Sequence, residues 1–130
     1  MNNSGRHRSS QSGFTLIEVL VALLILLIGL LGVAGMQLLS LQQVNNSNVR
    51  SQVNGHAFQA VELVRSNGGQ TLSAGQESTW LAALVRDVPG ADGEIDLDGN
   101  EVVVTITWDE REHGSSAVGR EFTMISRLEQ

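Results

Sequence analysis

The chain reads as an α+β protein. A long N-terminal helix, transmembrane in its first half and amphipathic in its second, packs on a small antiparallel β-sheet. Three observations predict this. Residues 19–36 carry no charge and no proline and are mostly Leu, Ile and Val; about 20 helical residues cross a ~30 Å hydrocarbon core. From 37 to 65 the apolar residues Leu38, Leu41, Val44, Val53, Ala57, Ala60, Val61 and Val64 return at near-helical intervals among polar ones. Beyond residue 94 the period drops to two, and β-branched residues take over.

Taken in order, the chain divides into four parts. Residues 1–13 are polar and basic through Arg6 and Arg8, so this leader stays in the cytoplasm and the C-terminal part lies across the membrane. Residues 14–36 form the spanning segment. Gly29, Gly32 and Gly35 recur at intervals of three rather than the four of a close helix dimer. Each costs a helix about 1 kcal/mol relative to Ala, so they read either as tolerated small residues or as a soft segment that can unwind.

Residues 37–66 continue the helix to a total of about 80 Å. The Asn45-Asn46-Ser47-Asn48 patch and Gly55 weaken it locally, and Asn67-Gly68-Gly69 stops it. Phe58, Val61 and Val64 are the expected core residues on its buried face, and His56 is expected to be exposed. Residues 67–130 form a small α+β region. A polar loop over 70–76 leads to a short helix capped by Ser78 or Thr79, running through Trp80 to Val85 and ended by Pro89-Gly90. Residues 94–97 read as a strand, with Asp98-Gly99 as the hairpin turn. Residues 101–108 are the clearest strand, with Val102, Val104, Ile106 and Trp108 on one face. A charged loop is expected over 109–119. A last strand over 121–128 places Phe122, Met124 and Leu128 together. A meander whose apolar face packs on the long helix buries all these sets.

Composition limits the functions open to such a chain. At 130 residues there is room for one small domain and an anchor. The net charge is −6, every basic residue is Arg, and removal of Arg6 and Arg8 leaves 6 basic against 14 acidic residues, or −8. So acidic a chain is a poor nucleic-acid binder, and none is expected as a partner. Without cysteine there is neither disulfide nor thiolate metal site. The alternating Asp92, Glu94, Asp96, Asp98 and Asn100 invite a calcium-loop reading. With Asp96 in first place, though, Glu101 stands where glycine is required and Thr107 where glutamate is. A solvated acidic hairpin is the better reading. His7, His56 and His113 are scattered, and no nucleophile elbow, phosphate cradle or persuasive carboxylate pair is present. No catalytic residue, metal or cofactor is expected, and the chain reads as a substrate of processing enzymes rather than an enzyme.

The stretch Gly13-Phe14-Thr15-Leu16-Ile17-Glu18-Val19-Leu20 resembles the start of a type IV pilin. The resemblance implies cleavage between Gly13 and Phe14 by prepilin peptidase, N-methylation of Phe14, and an assembly role for Glu18 as partner of the Phe14 amine on a neighbouring subunit. It further implies a single-pass inner-membrane protein with a periplasmic C-terminal domain that enters a pilus fibre as a minor pilin. The implied partners are other minor pilins and pilin subunits, prepilin peptidase, the pilus assembly platform and inner-membrane lipid. The chain departs from many pilins in lacking a C-terminal disulfide loop, and from the common pattern in lacking an anchor proline.

Taken without the resemblance, other readings stay open. Gly32-Val33-Ala34 offers a signal-peptidase site, and the apolar run would also serve as an unprocessed anchor. Thr15 and Glu18 fit a capping box, and a carboxylate inside the membrane costs on the order of 2.5–3.5 kcal/mol unless it is partnered. A minor pseudopilin of a type II secretion system and a non-assembling anchored binding domain are the competing functions.

Overall fold

The structure is a computed structural model that describes residues 13, 15–111 and 116–128. The element order is α1 (Leu16–Ser66), α2 (Ala74–Asp87), β1 (Asp92–Asp98), β2 (Glu101–Arg111) and β3 (Ala117–Arg127). The chain divides into two compact units, residues 1–38 and 39–130.

In the first unit, α1 presents its apolar side chains outward from Leu16 onward. It contains an 18-residue window apolar enough to cross a membrane, none of it buried against protein. A helix apolar on every side has no solvent-facing stripe, as expected of one surrounded by lipid.

The second unit holds the core. Val53, His56, Ala57, Ala60, Val61 and Val64 are the buried residues of α1, spaced by three, one, three, one and three, which is a single helical stripe. Phe58 is not on it. It stands ~100° round the helix from Ala57 and is 55% exposed, contrary to the expectation that it joins the core. His56, expected at the surface, lies on the stripe between Val53 and Ala60 and is only 5% exposed.

Helix α1 ends where Asn67-Gly68-Gly69 predicts. The Gly69 N–H donates to the Val64 carbonyl at 2.9 Å and the Gly68 N–H to that of Arg65 at 3.1 Å. This closing pattern needs a left-handed residue at Gly68, whose φ is 71°. Helix α2 starts earlier than expected. Ser73 is the N-cap, in a full capping box with Gln76, so the loop stops there and Ser78 and Thr79 lie inside the helix. Their hydroxyls donate to the Gly75 carbonyl, the usual resort of such residues in a helix interior. Val88-Pro89-Gly90-Ala91 then makes the turn, with Gly90 at φ 83° and the Ala91 N–H on the Val88 carbonyl.

The sheet is an antiparallel meander in the order β1-β2-β3. Asp98 pairs with Glu101, so the two turn residues are Gly99 and Asn100, one place later than expected. Gly99 has φ 60° while Asn100 does not have a positive φ, the arrangement of a II′ turn. Strands β2 and β3 run past the expected limits, because Asp109–Arg111 pair with Ala117–Gly119 and the expected charged loop is mostly ladder. Val102, Val104, Ile106 and Trp108 all face inward and are buried, with Phe122 and Met124 half-buried beside them. Helix α2 adds Trp80 and Leu84. Gly93 makes room for the Trp80 ring, since a Cβ at that position would lie 2.6 Å from it.

Candidate functional site

The sequence draws attention first to the start of α1. Thr15 and Glu18 form a reciprocal cap. The Thr15 N–H donates to Glu18 Oε2 at 3.1 Å, and the Glu18 N–H donates to Thr15 Oγ1 at 3.4 Å. Two otherwise unmatched helix donors are thereby satisfied, and a carboxylate sits at the positive end of the peptide dipoles. Glu18 therefore has a local partner in the uncut chain, on the threshold of the uncharged run. Phe14 and residues 1–12 lie outside the described residues, and with them the Gly13–Phe14 bond and the methylation site. Gly13 is exposed, and a Cβ there would meet nothing within 4 Å. The chain's own packing thus makes no demand for glycine at this position. The same holds at Gly29, Gly32 and Gly35.

A second polar cluster, absent from the sequence expectations, lies in the other unit. Glu110 points into the core at the end of β2, its side chain only 2% exposed. Arg50 of α1 grips it with two bonds of 2.7 Å, Nε to Oε1 and Nη2 to Oε2. Trp108 Nε1 donates to Oε1 at 3.2 Å, and Arg120 Nε of β3 stands 3.3 Å from Oε2. The Arg50 bonds hold the Glu110 carboxyl below its ordinary range, against the opposing effect of burial and with smaller help from Trp108 and Arg120. The Asn46 amide donates to the Arg111 carbonyl at 3.2 Å, so the far end of the β2–β3 hairpin is tied to α1 at two points. The signal for Glu110 was parity, since it continues the inward series Val102, Val104, Ile106, Trp108. The identity of its partner, 60 residues away, had no local signal.

His56 makes the corresponding tie to α2. Its Nε2 lies 3.0 Å from Asp87 Oδ2, and its backbone carbonyl accepts the Trp80 indole N–H at 2.9 Å. The Asp87 carboxyl is held low by Arg86 first and by His56 second. Both clusters fasten elements together and neither lines an enclosed cavity with convergent reactive groups.

Residues 8–34 match the family model described as the prokaryotic N-terminal methylation motif. No curated protein and no solved structure gives a match. The start of the chain is therefore a type IV pilin-like prepilin leader joined to a membrane-capable helix. The match is confined to this N-terminal stretch and covers neither α2 nor the sheet.

Proposed function

We propose that the chain is a minor pilin of a type IV pilus, held in the inner membrane until it enters the priming or tip complex of the fibre. The observation that carries this reading is the methylation motif over residues 8–34, which takes in the start of an exposed apolar helix. Resemblance refines it. The run 22–37, Trp80, Val88-Pro89-Gly90 and the strand 104–110 resemble the type IV pilus modification protein PilV. In this reading the protein is a structural subunit rather than an enzyme. Its chemistry is confined to cleavage after Gly13 and methylation of Phe14 by prepilin peptidase.

Glu18 is proposed to leave its cap on Thr15 and meet the Phe14 amine of a neighbouring subunit, which removes an unpaired charge from lipid. Mass spectrometry of the membrane-extracted protein is expected to find N-methylated Phe14 as the first residue. An intact Met1 terminus, or a start at Gly35, overturns the reading. The second expected outcome concerns Glu18→Ala, which accumulates in the membrane and no longer supports piliation. Normal piliation in cells carrying only this variant leaves the carboxylate as a helix cap and nothing more.

A further inference from the structure

Every second residue of β2 from Val102 to Glu110 is buried, and the last of these five places holds a carboxylate. A leucine or valine at 110 would simply have continued the core. Instead, two other elements each bring a guanidinium group to the buried charge, Arg50 from α1 and Arg120 from β3. Stability alone is a weak reason for such a trio. Apolar residues of similar volume often replace a buried ion pair without loss, because the desolvation cost disappears along with the attraction.

What apolar residues do not supply is direction. The stripe of α1 includes Val53, Ala57, Ala60, Val61 and Val64, and β2 offers Val102, Val104 and Ile106. These side chains are small or β-branched, and apolar attraction follows area without regard to angle. A sheet shifted along such a face still meets methyl groups. The guanidinium fork of Arg50 is different, since its two bonds of 2.7 Å to Oε1 and Oε2 accept one separation and one relative angle. Arg120, paired with Trp108 in the ladder, reaches diagonally to the same carboxylate, so both strands of the hairpin share the contact. Two further ties join α1 to the sheet, Asn46 on the Arg111 carbonyl and Arg65 on Ser126 Oγ. Each is a single bond at an exposed site.

We infer that the Arg50–Glu110–Arg120 cluster is an alignment lock. It selects one docking position for the β2–β3 hairpin on the second half of α1, and an apolar core in its place would hold the elements together without choosing among positions. The lock lies wholly within residues 39–130 and does not depend on the assembly reading above.

The test is made on the full-length protein in detergent micelles. Arg50→Met, Glu110→Leu and Arg120→Met are introduced together, and the product is compared with the parent and with Glu110→Leu alone, which leaves two guanidinium groups facing an apolar side chain. Urea unfolding is followed by tryptophan fluorescence. The triple variant is expected to recover most of the midpoint lost in Glu110→Leu. Its amide NMR spectrum is nevertheless expected to show more than one set of peaks for residues 50–64 and 102–110, the minor set at about 10% of the intensity, where the parent shows one. Arg50→Lys, which keeps the charge and gives up the fork, is expected to fold and to show the same doubling. A single set of peaks in either variant overturns the lock, because packing or charge alone then fixes the docking. A triple variant that unfolds, or is no more stable than Glu110→Leu, also overturns it and leaves the cluster as a stabilising contact.

Discussion

Glu110 is the residue whose chemistry is most exposed to experiment. Its folded-state pKa lies below the ordinary value of 4.5, so the folded state binds this proton less readily than the unfolded chain. Its pairing contributes stability that is fully present above the unfolded carboxyl's titration. That contribution is lost as the pH falls through the lower folded value. Denaturant midpoints of the second unit should accordingly stay level from neutrality to about pH 5 and fall below that. Glu110→Gln should show a shallower acid decline and a lower plateau at neutral pH. Arg50→Ala leaves the buried carboxylate with Arg120 and Trp108 alone. Breaking a fully buried pair costs about 3–5 kcal/mol. Because Arg50 is 58% exposed, an effect of about 2–3 kcal/mol is expected, read as a lower urea midpoint. At this scale the sequence was legible wherever alternation or helical spacing decides burial, as for Val61, Val64, Val104 and Trp108. It misled where a residue's chemistry pulled against its position. Glutamate is usually solvated and histidine only intermediate in burial, and here His56 and Glu110 are buried with distant Asp87 and Arg50 as partners. Phe58 is the converse, an apolar residue beside the stripe rather than on it.

Elements owe their limits to caps and turns more than to propensity. Ser73 and Gln76 hold the first turn of α2, and Ser73→Ala should lower stability by about 1 kcal/mol, seen as lost helix signal and a reduced melting temperature. A larger effect is expected from Gly93→Ala, where the new methyl group collides with Trp80. Overpacking of this kind costs typically 1–3 kcal/mol, and thermal denaturation of the purified chain measures it. The start of α2 is hard to read from sequence because Ser73, Ser78 and Thr79 all offer caps within one short stretch, and only the folded chain pairs Ser73 with Gln76. The strand ends are hard to read for a related reason. Asp109 and Arg111 look like loop residues until the register pairs them with Gly119 and Ala117. At the stop of α1 the two glycines were sufficient, since only their φ values close that helix without strain.

At the scale of the whole chain, residues 39–130 hold the entire described hydrophobic core. A fragment 37–130 is expected to fold without the membrane segment, giving mixed helix and sheet by circular dichroism and one cooperative melt. With no disulfide to restrain the unfolded chain the margin is modest, and Trp108→Ala, at about 3–5 kcal/mol, should abolish the transition. A fragment that stays disordered until another subunit is added would show that the core is not self-sufficient. The tryptophans themselves make these questions tractable by optical means. The protein has two and no tyrosine, so its near-ultraviolet fluorescence comes from Trp80 and Trp108. Both rings are buried, one bonded to a carbonyl of α1 and the other to Glu110. Trp80→Phe would leave an emission that follows only the hairpin, and Trp108→Phe one that follows only α2. The protein carries two intrinsic dyes, each reporting on a separate attachment to the same helix.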